Sequence, residues 1–180
     1  MVLPKTKPVV KVWPYEAVNK KRIVEFETLL SSTYAYSQGL VKMIADDQRD
    51  HQLKVMGDYF KASNMQIPPT IKIEGIERYN EFFATLVKKV ALGFLHKGPV
   101  SCHLFWSKPG SPSFPDHTDP DDVVIYVAQG SKLMIVNGEQ HWIREGQYLL
   151  IPANTPHRAE NREGSFMFSI GLEKYIKDKL

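Results

Sequence analysis

The second half of the chain constrains the fold most strongly. From Pro99 onward, short apolar runs alternate with clusters of glycine, proline, asparagine and aspartate. The runs read VSCHLFW, DVVIYVA, KLMIV, QHWI, QYLLI and SFMFSIGL. Runs of this length that are rich in β-branched and aromatic residues predict strands, and several of them at short intervals are typical of a barrel or sandwich. Asn137-Gly138 fits a two-residue hairpin turn, in which both residues need positive φ, and Glu145-Gly146 predicts a second tight turn.

Residues 1–98 carry a helical pattern instead. Three groups of apolar residues recur there at helical spacing: Ile23, Phe26, Leu29 and Leu30; Leu53, Met56, Tyr59 and Phe60; and Tyr79, Phe82, Phe83, Leu86, Val87 and Val90. We expect these stripes to be the core-facing sides of helices, with a connecting loop at Asn64 to Thr70. The sequence therefore predicts an α+β, mainly β protein, in which a helical N-terminal layer (residues 1–98) packs on a β-barrel core (residues 99–180) as one domain.

Composition sets further limits. A chain of 180 residues is long enough for one buried core. The formal net charge of +3 comes with lysines spread along the sequence, so charge gives no strong signal for nucleic-acid binding. No run approaches the roughly 18 apolar residues of a membrane span, and the N-terminus lacks a secretory signal pattern. The single cysteine, Cys102, excludes an internal disulfide. We therefore expect a cytoplasmic protein, with a homodimer left open.

Three side chains in the second half can hold one metal ion. In His117-Thr118-Asp119 the first and third residues point to the same side of an extended segment, so they can bind one ion together. His157 follows His117 by about 40 residues and, on another strand of the same barrel, would return to the same mouth. Two imidazoles and one carboxylate form the facial triad of non-heme iron oxygenases, which leaves positions open for other ligands. The spacing alone also fits three polar residues at the rim of a barrel.

The surroundings of His157 resemble a known motif. The pattern Gly146-x5-Pro152-x-Asn154-x2-His157-x3-Asn161 is similar to the second motif of the cupin superfamily, with asparagine in place of the usual glycine. Asparagine tolerates the left-handed backbone that such a turn often needs. The first cupin motif is matched loosely before His117, and Val123 stands where many cupins have a further glutamate ligand. The resemblance implies a double-stranded β-helix (cupin or jelly-roll) barrel with metal ligands His117, Asp119 and His157.

A second resemblance covers Leu104 to Lys132. This segment is similar to the core of the JmjC and asparaginyl-hydroxylase branch of the cupins, which uses 2-oxoglutarate. In that branch a Gly-x-Lys on the strand after His-x-Asp supplies the lysine for the distal carboxylate of 2-oxoglutarate, so the resemblance gives Lys132 this role. Other 2-oxoglutarate families place an arginine ten residues after the distal histidine, where this chain has Met167. Spacing alone does not decide whether Lys132 faces the barrel or solvent.

Two further residues are candidates for the pocket. His103 and Phe105 share one face of the run VSCHLFW, and the resemblance turns that face toward the pocket, where both would contact co-substrate or substrate. For His103, a packed core histidine is the alternative. Asn161, the last residue of the cupin-like motif, is expected to brace a turn near the metal and not to touch it.

The resemblance implies an Fe(II)- and 2-oxoglutarate-dependent dioxygenase that uses dioxygen to hydroxylate a C–H bond of a second substrate. A protein side chain is the preferred substrate, ahead of an RNA-associated target or a small metabolite. One alternative is a metal-dependent cupin that does not use 2-oxoglutarate, such as an isomerase or another dioxygenase, which would have no use for Lys132. The other is a non-enzymatic cupin, a sensor or structural barrel, in which the metal-ligand candidates are merely polar.

Overall fold

The computed structural model describes residues 7–174 of the chain. Helices and strands alternate in the N-terminal half and strands fill the C-terminal half. The helices are α1 (Lys20–Leu30), α2 (Thr33–Ser37), α3 (Met56–Ser63) and α4 (Glu81–Gly93), with a 3₁₀ turn at Ile76–Arg78. The strands are β1 (Lys11–Val12), β2 (Val41–Ile44), β3 (Asp50–Gln52), β4 (Thr70–Ile73), β5 (Val100–Ser107), β6 (Asp122–Val136), β7 (Glu139–Arg144), β8 (Gln147–Ile151), β9 (His157–Glu160) and β10 (Ser165–Leu172).

The strands form two antiparallel layers that share β6. The larger layer has the order β1-β8-β6-β10-β5-β4-β2-β3, and β7 and β9 flank the second half of β6 in the smaller one. The first half of β6 pairs with β8 and β10, so the chain passes from one layer to the other within a single strand. This is the jelly-roll arrangement of a mainly β protein, and the predicted fold class is confirmed.

Both faces of the larger layer are buried. Along β6, Val124 and Tyr126 point to one face and belong to the core cluster that includes Phe26 of α1 and Phe83 of α4. Val123, Ile125 and Val127 point to the other face and pack inside the barrel against β8 and β10. Because side chains alternate between two buried faces, the run DVVIYVA has no polar alternation. The helices therefore cover the outside of the barrel, and the cavity lies between the two layers.

A bulge at Ala128, two residues before Gly130, lets β6 serve both layers. Phe166 of β10 faces Gln129, whereas the next residue, Met167, faces Val127, so one residue of β6 is left over between them. Gly130 has φ +75°, and a Cβ there would overlap the carbonyl oxygen of Gly164. The sequence predicted DVVIYVA and KLMIV as two strands. That prediction is wrong in its boundary, because the extra residue bends one continuous strand.

Gly130→Ala is expected to lower the free energy of unfolding by about 3 kcal/mol or more, since it adds a steric overlap with backbone to an unfavourable positive φ. Gly138→Ala is the matched control. Gly138 has φ +77° but nothing within 4 Å of the added Cβ, so its cost should stay near about 1 kcal/mol. Urea denaturation of both variants measures the difference, and equal costs would mean that the bulge does not require glycine.

The predicted helical N-terminal layer is only partly correct. Helices α1, α3 and α4 coincide with the three apolar stripes, although Leu53 and Tyr79 lie just before the helices that they were expected to join. The segments between them were not predicted as strands. In the structure β4 pairs with β5, and β2 and β3 continue the layer beyond β4. The N-terminal half thus widens the barrel sheet as well as covering it, because Val41–Ile44 and Thr70–Ile73 are too short for a pattern to stand out.

The backbone angles at the turns agree with the turns that the sequence predicts. Asn137 and Gly138 have φ of 51° and 77°, which confirms the hairpin between β6 and β7, and Gly146 has φ 77° in the predicted second turn. Asn154 has φ 59°, so asparagine adopts the left-handed conformation expected of it. Within the described part of the chain, no helix combines the length and the apolar character that crossing a membrane would take.

Candidate metal centre and cavity

The two segments that carry the candidate metal ligands are held together by their main chains. His117 and His157 form an isolated antiparallel bridge, in which each amide N donates to the carbonyl oxygen of the other residue at 3.0 and 2.9 Å. Asn154 N donates to the carbonyl of Asp119 at 2.7 Å, which the left-handed turn at Asn154 makes possible. The ligands are therefore positioned by backbone hydrogen bonds, without help from the ion.

The imidazole rings are oriented so that Nε2 is free to bind a metal. His117 Nδ1 lies 2.9 Å from the carbonyl oxygen of Pro115, and His157 Nδ1 lies 2.8 Å from that of Thr155. A carbonyl can only accept, so each Nδ1 carries a proton, and Nε2 is the ring nitrogen that faces the cluster. A metal ion would take the place of any proton that Nε2 of His157 shares with Asp119.

The three ligand atoms are close enough to share one ion. Asp119 Oδ2 lies 3.3 Å from Nε2 of His157 and 3.9 Å from Nε2 of His117, and all three ligand atoms lie within 4.8 Å of one another. Ligand atoms about 2.1 Å from one ion are about 3 Å apart when they lie at right angles around it and at most about 4.2 Å apart when they lie on opposite sides. The donor set, two neutral imidazoles and one carboxylate, suits a divalent transition metal and leaves coordination positions open.

The electrostatic environment of this cluster keeps a negative charge on Asp119, which favours the binding of a cation. The hydrogen bond with His157 lowers the pKa of Asp119 below its usual value, and burial opposes this only in part. Burial by itself lowers the pKa of His157, but the hydrogen bonds to Asp119 and to the Thr155 carbonyl outweigh it and raise the pKa. His157 is 4% exposed, whereas His117 and Asp119 are partly exposed. The carboxylate is therefore ionised at neutral pH and reachable from solvent.

The cluster opens into a cavity of about 270 Å³ between the two layers. The register of β5 against β10 gives three successive rows, in which Ser107 faces Ser165, Phe105 faces Met167, and His103 faces Ser169. The last two rows line the cavity. The first and third rows are polar, and the second is apolar. Phe105, Met167, His103 and Ser169 line the cavity together with His117, Asp119 and His157. The predicted pocket face of β5 is therefore observed, although the role of His103 and Phe105 stays a prediction.

Lys132 enters the cavity from the opposite layer. It is 2% exposed, and its Nζ donates to Ser107 Oγ at 2.8 Å and to Asn161 Oδ1. Both partners are neutral, and among residues 7–174 no carboxylate pairs with this lysine. Burial lowers the pKa of Lys132 from 10.5 to about 7. A solvent-facing Lys132, the alternative left open by the sequence, is ruled out, and the cavity contains a buried amine that has no carboxylate partner among the described residues.

Asn161 holds this end of the cavity together. Its Nδ2 donates to the Ser111 carbonyl at 2.8 Å and to Ser113 Oγ at 2.9 Å, while its Oδ1 accepts from Lys132. The expectation that Asn161 braces a turn fits this geometry. The sequence did not identify Ser113 as a cavity residue, nor Ser107 as a partner of Lys132. Ser107 carries a readable signal, since it follows His103 and Phe105 at strand spacing, but Ser113 lies in a segment without periodicity.

Comparisons with known proteins agree with this fold. The family model of the cupin domain matches residues 104–169. The ribosomal oxygenase YcfD of Escherichia coli, in its structure with cobalt and 2-oxoglutarate, has a TM-score of 0.69 at 14% identity, over 95% of this chain and 49% of that protein. A structure of YcfD described without ligands gives a TM-score of 0.69 at 15% identity, over 95% of this chain and 49% of that protein.

A conserved protein of unknown function from Streptococcus pyogenes, SPY1581, is 20% identical over 44% of this chain and 69% of its own. Its TM-score is only 0.41, which is below that of a shared fold. A search of curated proteins gave no match. The chain spans about half the length of YcfD. Residues 104–169 thus match the cupin-domain model, and nearly the whole chain shares its fold with YcfD.

Proposed function

We propose that the protein is an Fe(II)- and 2-oxoglutarate-dependent oxygenase. The observation that carries the proposal is the pairing, within one cavity, of an open metal triad with the buried and uncompensated Lys132. A buried ammonium group is costly unless an anion neutralises it. 2-Oxoglutarate supplies one carboxylate for that lysine and, at its other end, a keto acid that can chelate the metal.

The triad and Lys132 have separate roles in the proposed reaction. His117, Asp119 and His157 would hold Fe(II), which supplies the redox chemistry that activates dioxygen when 2-oxoglutarate is bound. Lys132, with its position fixed by Ser107 and Asn161, would hold the distal carboxylate through charge-assisted hydrogen bonds. The balanced reaction converts 2-oxoglutarate, dioxygen and a C–H bond into succinate, carbon dioxide and a C–OH group.

The apolar part of the cavity has a role in this reaction as well. Ile125, Met134 and Met167 line the cavity and are buried. They would exclude water from the space between the lysine and the triad, which strengthens the electrostatic contacts there and protects the reacting groups. Met167 occupies the position at which other families have an arginine, so Lys132 is the cation available for the distal carboxylate at this end.

The structural neighbour supports the proposal without proving it for this chain. YcfD is described as a ribosomal oxygenase and has been solved with cobalt and 2-oxoglutarate. Cobalt(II) binds the same kinds of nitrogen and oxygen ligands as Fe(II). At 14% identity the likeness concerns the fold, so the metal, the keto acid and the hydroxylation of a C–H bond rest on the residues described above.

Under anaerobic conditions, addition of Fe(II) and 2-oxoglutarate to the purified protein is expected to produce a visible absorption band, because a chelating keto acid accepts charge from the metal. On admission of air, succinate should form at a slow uncoupled rate. Asp119→Asn should remove both signals. Metal binding without a band at saturating 2-oxoglutarate would instead favour a cupin that does not use the keto acid, and no metal binding would favour a non-enzymatic barrel.

A further inference from the structure

The cavity has a second polar end at His103, away from the end at which Lys132 is bound. His103 and Ser107 are four residues apart on β5, and at about 3.3 Å per residue they lie about 13 Å from each other along the strand. Lys132 Nζ is bound at the Ser107 end. In the proposed binding mode, Lys132 holds the distal carboxylate of 2-oxoglutarate and the metal triad holds its keto acid. His103 and Ser169 are therefore not assigned to the co-substrate and are available to another molecule.

The tautomer of His103 is fixed by the N-terminal half of the chain. Gly75 N donates to Nδ1 of His103 at 3.1 Å. A backbone amide can only donate, so Nδ1 is unprotonated and Nε2 carries the hydrogen. Burial, and next the positive charge of Lys72, lower the pKa of His103, which keeps the ring neutral at physiological pH. Among residues 7–174, His103 Nε2 has no hydrogen-bond partner and is not sealed off from the cavity.

Two of the carboxylates near His103 are already held by lysines. Lys72 Nζ lies 2.9 Å from Glu74 Oε1 and 3.5 Å from Asp50 Oδ2. Lys42 Nζ contacts the same two carboxylates, at 2.9 and 3.9 Å. Two lysines thus share two carboxylates, and their charges cancel. What remains unsatisfied on the cavity side is a donor, the N–H of His103, beside the hydroxyl of Ser169.

We propose that His103 and Ser169 form a binding subsite for the second substrate, which docks there through an oxygen acceptor, a carbonyl or a carboxylate. The inference rests on the proposed function, since it takes the Lys132 end to be filled by 2-oxoglutarate. His103 donates from Nε2 to the substrate oxygen, and Gly75 holds the ring in position. A guanidinium or ammonium group cannot accept the hydrogen bond that His103 Nε2 offers, because it has no acceptor atom.

Two substitutions of His103 distinguish the roles of its two ring nitrogens, Nδ1 and Nε2. In His103→Gln the amide nitrogen takes the place of Nε2 and keeps a donor in the cavity. In His103→Asn the side chain reaches only as far as Nδ1, so it can still accept from Gly75 N but offers no donor to the cavity. The pair distinguishes a substrate-binding role from a structural one, since a merely structural histidine would be replaced better by asparagine.

The test is nuclear magnetic resonance on the full chain with ¹⁵N-labelled histidine. The His103 ring should show a neutral Nε2–H tautomer. Acetamide is a neutral hydrogen-bond acceptor that does not compete for Lys132. It should shift the Nε2 resonance of His103 saturably, whereas methylammonium at the same concentration should not. With backbone amide signals as the readout for the variants, acetamide binding should persist in His103→Gln and weaken at least about tenfold in His103→Asn, roughly one lost hydrogen bond.

Three results would overturn the inference: an Nδ1–H tautomer, no saturable shift with acetamide, or equal acetamide binding in both variants. The same titration in Lys132→Met distinguishes this failure from a failure of the proposed function. If Lys132 does not bind 2-oxoglutarate but acetamide still reports at His103, the subsite stands and the oxygenase proposal falls. If 2-oxoglutarate binds at Lys132 and acetamide gives no response at His103, the oxygenase proposal stands and the subsite falls.

Discussion

Lys132→Met is expected to weaken 2-oxoglutarate binding by at least about 100-fold while leaving metal binding intact. Each charge-assisted hydrogen bond from a lysine contributes about 1.5 to 3 kcal/mol, and a factor of 100 corresponds to about 2.8 kcal/mol. Methionine keeps the length and the apolar stem of the side chain, so the cavity retains its shape. Calorimetric titration of the metal-loaded protein with 2-oxoglutarate measures the change.

The same variant should be more stable than the wild type when no ligand is bound. The pKa of Lys132 falls from 10.5 to about 7 on folding. Between these values the unfolded chain binds more protons than the folded one, so this group makes stability rise with pH across the window and costs most below pH about 7. Removal of the charge should add a few kcal/mol near pH 6 and progressively less toward pH 10, as measured by urea denaturation.

Lys108→Met is the matched control for both effects. Lys108 is exposed and lies next to Ser107 at the end of β5, so its loss removes a nearby positive charge without touching the cavity. It should change neither 2-oxoglutarate affinity nor the pH slope of stability appreciably. If Lys132→Met bound 2-oxoglutarate normally, the distal carboxylate would have to be held elsewhere. If Lys132→Met destabilised the protein, the inference that the buried ammonium group lowers the free energy of unfolding would be wrong.

Asp119→Asn and His157→Ala should each lower the affinity for Co(II) or Fe(II) by at least about 100-fold. The first replaces the only anionic ligand of the triad by a neutral amide of the same shape. The second leaves two ligands in place of three. Because even the partners that orient metal ligands are worth about 10- to 100-fold in affinity, loss of a direct ligand should have at least that effect. Calorimetric titration under anaerobic conditions gives the affinities.

Asp121→Asn serves as the control, since Asp121 lies two residues away but accepts a hydrogen bond from the backbone of Lys174 and does not face the triad. Metal affinity should be retained in that variant. The backbone bridge between His117 and His157 does not involve side chains, so His157→Ala should still fold, and circular dichroism checks this. Tight binding in both ligand variants would assign the metal to other groups and leave the cluster as polar rim residues.

The parts of the fold that the sequence predicted correctly are those set by local chemistry. Asn137-Gly138 specifies its hairpin because few residues adopt positive φ, and the apolar runs of β5, β6, β8 and β10 are long enough to identify as strands. The candidate metal ligands could be predicted for the same reason: His117 and Asp119 have the spacing of a strand face, and His157 lies in a recognisable turn motif. Each of these signals is contained within a short stretch of chain.

The features that were missed depend on contacts between distant segments. Strand β9, with the sequence HRAE, has no apolar run and becomes a strand because it pairs with β6 and His117. Residues Thr70 and Ser113 reach the cavity from a loop end and from an irregular segment. The inward direction of Lys132 could not be predicted from its spacing, because the bulge near Gly130 interrupts the alternation that relates it to Val123 and Ile125.

Because of that bulge, the number of residues in β6 decides which of its side chains point into the cavity. On β6, the odd-numbered Val123, Ile125 and Val127 pack inside the barrel before the bend, and the even-numbered Met134 and Val136 do so after it. Lys132 belongs to the second set. Deletion of one residue at the bend would restore the alternation and turn Lys132 outward, although the strand would keep its composition. A relative that changes length here is therefore expected to lose the inward lysine, so the spacing between Asp119 and the lysine is a criterion for recognising relatives that retain the proposed anion site.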